Sequence, residues 1–159
     1  YTARHGPMEV FVLDTTIPLA TGEGGPEQIA WLEAALASSD ARWKVGLMHQ
    51  PAYSSGKHGS HLEIRDAVQP LFARYGVDIV FTGHDHLNER TSPPDGVVWV
   101  VSGAGAKRTR VDGADFTAHA ESTLQFMLVD IAGDTMDVRA ITTDGSVIDQ
   151  VTLAARSGS

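Results

Sequence analysis

Cysteine is absent from the 159 residues. That excludes disulfide staples and thiolate metal ligands, and leaves any bound ion to nitrogen and oxygen donors. Cations are scarce as well: twelve Lys and Arg stand against twenty Asp and Glu, a formal charge of −8. This balance argues against a general nucleic-acid surface, which draws its affinity from clustered basic residues. No apolar run approaches the roughly 20 residues that a membrane-spanning helix needs, and Tyr1-Thr2-Ala3-Arg4-His5 has no signal-peptide pattern. Repeats and low-complexity tracts are lacking too, apart from a small-residue tail at 154–159 that is expected to fray. What is present, 42% hydrophobic and 20% charged residues, suffices for a buried core and disfavours disorder.

The apolar pattern alternates between the periods of strand and helix. Residues 8–14 read as a strand, followed by a Pro- and Gly-rich connection. Pro26 suits the first turn of a helix over 26–38, with Ile29, Leu32 and Leu36 on its buried face and Trp31 as core. Strands are expected at 43–48, 77–81 and 97–101. Between the first two, Ile64, Ala67, Val68, Leu71, Phe72 and Tyr75 form the stripe of a helix over 62–75, ended by Gly76 and expected to bend at Pro70. A turn is expected at Pro93-Pro94-Asp95-Gly96, and an antiparallel meander over 124–131, 135–141 and 146–153.

Histidines sit where these strands end. Val77 to Phe81 runs into Thr82-Gly83-His84-Asp85-His86, and Trp43 to Met48 runs into His49-Gln50-Pro51. A helical crossover between two strands makes them parallel neighbours, and ligands collect at the carboxyl ends of such strands, so His49, His84 and His86 meet at one rim as candidate metal ligands. Taken alone, a His-x-His pair is equally a pair of loop histidines. The loop after His49 carries His58, a candidate general acid, and His61 stands at the helix start, where a cap or supporting role is as natural as a catalytic one. Lys107-Arg108-Thr109-Arg110 reads either as steering for an anion or as a solvated loop, and Ser102 to Ala106 as a phosphate-side loop or a tight corner. His119 reads as incidental.

Leu47-Met48-His49-Gln50-Pro51 followed by Gly83-His84-Asp85-His86 resembles the last two metal motifs of the calcineurin-like metallophosphoesterases. The segments around Lys57-His58-Gly59, 70–77 and 101–105 look most like the purple, tartrate-resistant acid phosphatase branch. The family's earlier motifs, an Asp-x-His or Asp-x-Gly, a Gly-Asp and a Gly-Asn-His, have no match here. The resemblance therefore implies an α/β chain, residues 1–153, forming the C-terminal half of a four-layer αββα fold with mixed sheets, plus the tail 154–159. It implies two metal ions, Fe, Zn or Mn, with His49 and His84 on one and His86 on the other, and His58 protonating the leaving group. The implied substrate is a small phosphate ester, monoesters before diesters or nucleotides. The implied partner is a missing N-terminal half, with neither nucleic acid nor membrane, in a secreted or periplasmic setting. The chain alone is expected to be inactive; the other reading is a non-catalytic fragment or binding or regulatory module with an incomplete site.

Overall fold

The computed structural model describes residues 1–92 and 94–156. Its first strands, β1 (Thr2–His5) and β2 (Met8–Val12), form an antiparallel hairpin turned at Gly6, which adopts φ 56°. A loop leads into α1 (Gly25–Ser38), which carries Pro in its first turn and buries Leu32 and Leu36. Next come β3 (Trp43–Leu47), α2 (Leu62–Tyr75) and β4 (Ile79–Thr82). Gly76 closes α2 in the left-handed conformation at φ 68°, a position that suits a residue without Cβ. Then follow β5 (Asn88–Thr91), β6 (Val98–Ser102), β7 (Thr117–Glu121), and the hairpin-linked β8 (Gln125–Ala132), β9 (Thr135–Thr142) and β10 (Val147–Ala154).

Seven of these strands make one mixed sheet in the order β1-β2-β3-β4-β6-β5-β7, and the last three make an antiparallel sheet β10-β9-β8. Strands β2, β3, β4 and β6 are parallel. The period-2 alternation of the central strands splits the core into two layers. Phe11, Val80 and Trp99 face the helices and pack with Leu32, Leu36, Val68 and Phe72. Trp43, Val45, Ile79, Val98 and Val100 face the smaller sheet and pack with Met136 and Val138. The expected mixed α/β sandwich is thus present, with helices, large sheet and small sheet stacked in that order.

Several local expectations are corrected. The first strand stops at Val12, and Asp14 lies beyond it, accepting the N–H and hydroxyl of Thr16 in a turn at 2.9 and 2.6 Å. Strands β1, β5 and β7 carry few apolar residues and were not expected from periodicity. α2 runs unbroken over the expected 62–75 with Pro70 inside it; Pro70 is on the exposed face, where water can take up the carbonyl it leaves unpaired. In the tail, Ala154 closes β10, the Ala155 N–H donates to the Asp134 carbonyl at 2.9 Å, and Arg156 reaches the carbonyls of Val77 and Gly96 at 3.2 and 2.9 Å. Pro94–Gly96 forms a short 3-10 turn; Pro93 and residues 157–159 lie outside the described residues. Among the described residues no helix is long and apolar enough to cross a membrane.

Candidate metal centre

β3 and β4 pair in parallel register, Gly46 with Val80 and Leu47 with Phe81, so their carboxyl ends emerge together. The pairing continues one step beyond the strands: the Gly83 N–H donates to the His49 carbonyl at 2.9 Å. Gly83 lies against the His49 ring, and a Cβ added there would sit 3.7 Å from its Nδ1. His84 then takes a left-handed backbone at φ 64°, a strained conformation for a residue with a Cβ. Its imidazole turns back on His49, placing His84 Nδ1 3.2 Å from His49 Nε2.

That contact tests whether a metal fits. Two imidazole nitrogens cannot face one another with both lone pairs free; a proton or a cation must lie between them. Nitrogen ligands about 2.0–2.1 Å from one ion at an angle of about 100° stand about 3.2 Å apart, which is the observed separation. Two more rings approach His84: His58 with centroids 4.4 Å apart and His61 at 5.4 Å. His61 gives no side-chain cap to α2, and its Nε2 is buried without a partner. Burial and the three neighbouring imidazoles, His58 first, push the His84 pKa below its ordinary value, which keeps the ring neutral and free to donate a lone pair. His49 and His84 therefore fit one ion as a pair. Among the described residues, no group of three or more His, Asp or Glu is disposed to hold an ion by itself.

His86 is half-buried in the same turn and anchors a further loop, its carbonyl accepting the Thr109 N–H at 2.7 Å. No ring contact joins it to the other four histidines among the described residues. His58 is exposed at the tip of a loop closed at its base by the His61 N–H on the Pro51 carbonyl at 2.9 Å. Sequence reasoning did not find what fixes that tip. Asp85, fully buried between the two motif histidines, accepts the Ser54 hydroxyl at 2.6 Å and the His58 backbone N–H at 3.0 Å. Glu89, also buried, accepts the N–H and hydroxyl of Ser55, both at 2.7 Å. Gly103 passes so close that a Cβ there would lie 2.1 Å from the Asp85 carbonyl oxygen. The small-residue corner after β6 is thus pressed against the histidine turn, a contact that no local pattern encodes.

Known proteins give this arrangement a context. Purple acid phosphatase 17 of Arabidopsis thaliana is 39% identical over 82 residues, 51% of this chain and 24% of that protein. Tartrate-resistant acid phosphatase type 5 of Oryctolagus cuniculus is 36% identical over 78 residues, 49% of this chain and 24% of that protein. A purple acid phosphatase from yellow lupin seeds shares the fold, with TM-score 0.85 at 22% identity over 97% of this chain and 32% of that one. The chain thus spans about a quarter of the length of the curated relatives it matches. The sequence model of the calcineurin-like phosphoesterases matches residues 3–88, more than half of the chain and the part that holds all the histidines of the site. The chain belongs to the calcineurin-like phosphoesterase family.

Proposed function

We propose that this chain is the C-terminal half of a metal-dependent phosphoric ester hydrolase, acting first on phosphomonoesters in the manner of acid phosphatases. The observation that carries the reading is the 3.2 Å approach of His49 Nε2 to His84 Nδ1 at the carboxyl rim of two parallel strands. Likeness to purple acid phosphatases over half of the chain supports the substrate class and a secreted or periplasmic setting. His49 and His84 hold one ion and His86 contributes to a second, with the remaining ligands from a preceding half of the domain. Bound there, two ions supply Lewis-acid polarisation of phosphoryl oxygens and a nucleophile at neutral pH.

The chain's own residues do the rest. His58, held at its backbone by Asp85, presents an exposed imidazole beside His84. It gives its ring proton to the departing oxygen. The close-packed corner around Gly103 and Asp85 excludes solvent from beneath the histidine turn, so the rings stay fixed while substrate turns over.

The test is hydrolysis of phenyl phosphate by the purified protein with the preceding half of its domain present, beside intact mass and elemental analysis; the chain alone is expected to be inert in the same assay. About two metals per domain are expected, with turnover abolished by chelation and restored by metal. His49→Ala and His84→Ala should each lose metal and lower kcat/KM by at least about 100-fold. His58→Ala should keep the metal and lose about 100-fold or more, with a larger loss for alkyl than for aryl esters, because the poorer leaving group needs the proton more. Unchanged turnover in His84→Ala would sink the proposal. The second reading, a module without catalysis, is favoured by the absence of a three-ligand group among the described residues. It predicts a metal-free protein inert in the same assay.

A further inference from the structure

Among the described residues nine of the twelve cations have a carboxylate or carbonyl partner. Seven arginines pair with carboxylates. Lys44 and Arg65 donate to the carbonyls of Tyr75 and Ala52 at 3.1 and 3.0 Å. The three left without such a partner among the described residues are Lys57, Lys107 and Arg108, all exposed. They stand on the two loops that border the histidines. Lys57 precedes His58; Lys107 and Arg108 precede Thr109, whose N–H is bonded to the His86 carbonyl. The loops are fastened to each other as well, the Gly113 N–H donating to the Ser55 hydroxyl at 3.1 Å while that hydroxyl donates to buried Glu89.

Between them lies a pocket of about 420 Å³ lined by Ser55, Gly56, Lys57, Thr109, Arg110 and Asp112, within the range of small-ligand sites. Arg110 pairs there with Asp112 at 2.6 Å, but both side chains are mostly exposed, 86% and 64%, so water screens that pair. A chain of charge −8 repels an anionic ester at long range. Of the three free cations Lys57 alone lines this pocket, Lys107 and Arg108 lining a neighbouring one with Thr143. Lys57 and the water-screened Arg110 stand against the single carboxylate of Asp112, a local excess of positive charge.

We propose that this pocket is a subsite for a second anionic group carried by the leaving group, so that the preferred substrates are phosphate esters whose alcohol part bears a further phosphate. The inference rests on the hydrolase reading of the histidine site. It places the second charge on the leaving side because Lys57 adjoins His58, the residue set beside the departing oxygen.

Two matched esters test it in the metal-loaded protein with the preceding half of its domain present: phenyl phosphate, with a neutral alcohol part, and hydroquinone bisphosphate, with a charged one. In the double variant Lys57→Gln/Arg110→Gln, the ratio of kcat/KM for the bisphosphate over the monophosphate should fall about tenfold, the lower end of electrostatic steering. Arg74→Gln, the loss of one exposed charge on α2, should leave that ratio unmoved. An unchanged ratio in the double variant, or an equal fall in Arg74→Gln, overturns the proposal. If neither ester is hydrolysed by the unsubstituted protein, the hydrolase reading fails instead. The subsite is then decided by calorimetric titration with inorganic tripolyphosphate: a Kd raised about tenfold in the double variant supports it, in line with lost charge complementarity, and an equal Kd overturns it.

Discussion

The Asp85 carboxylate is fully buried and accepts one hydrogen bond on each oxygen, from the Ser54 hydroxyl and from the His58 N–H. Asp85→Ala leaves the buried Ser54 hydroxyl and the part-buried His58 N–H without their acceptor. At about 1–3 kcal/mol for each stranded group, the expected loss is about 3 kcal/mol in total, read from the shift of the denaturant midpoint at constant slope. Asp85→Asn retains one acceptor oxygen and should lose about half as much. A loss below about 0.5 kcal/mol for Asp85→Ala, the ordinary level for surface substitutions, would show that the His58 loop is held elsewhere. The histidines of the site were legible because motif and strand end coincide at His49 and His84. Asp85, Ser54 and Glu89 were not, because a buried carboxylate is stabilised by donors 27 to 34 residues away in sequence. His61 was read as a cap, a supporting residue or a catalytic one; it makes no side-chain cap, and its ring lies 5.4 Å from that of His84.

Helix α2 crosses from β3 to β4 and thereby sets the two histidine-bearing ends side by side. Its amphipathic stripe buries Ile64, Val68 and Phe72, enough to keep the helix continuous through Pro70. Pro70 packs nothing, being exposed, so its cost is confined to the lost bond to the Asp66 carbonyl and ring crowding in that turn. Pro70→Ala should therefore stabilise the protein by about 1–3 kcal/mol, seen as a raised unfolding midpoint; a neutral or negative change would mean that the surrounding turn has adapted to the ring. Elements with a clean period, α1, α2, β3, β4, β6 and the final meander, were legible for the same reason that they are stable: one stripe or one face buries against a partner. β1, β5 and β7 were not. Asn88-Glu89-Arg90-Thr91 has no apolar alternation, and it becomes a strand because β6 and β7 pair with its two edges and the loops satisfy Glu89. Such a strand is made by its neighbours.

At the scale of the molecule, the two sheets are joined across an apolar layer and by one well-shielded ion pair. Arg90 of β5 reaches Asp149 of β10 through two parallel bonds of 2.8 Å, with side-chain exposures of 18% and 8%. That is the planar fork geometry in which arginine and carboxylate bind most firmly. A second ion pair between these layers, Arg42 with Asp134, is exposed by 37% and 80% and contributes at most about 1 kcal/mol. Arg156, just beyond β10, reaches Asp78 at 3.5 Å, and Gln125 of β8 bonds Ser102 of β6. The shielded pair is the one whose loss should separate the sheets. Replacing one member leaves the other charged and largely dehydrated, so Arg90→Leu and Asp149→Leu should each cost about 3–5 kcal/mol, whereas the double variant Arg90→Leu/Asp149→Leu removes the stranded charge and should cost less than either single change. Chemical denaturation of the four proteins checks the ordering through the coupling of the cycle. Single changes below about 1 kcal/mol that simply add would place the pair in solvent, and the sandwich would then rest chiefly on the apolar layer of Trp43, Ile79, Val100 and Met136.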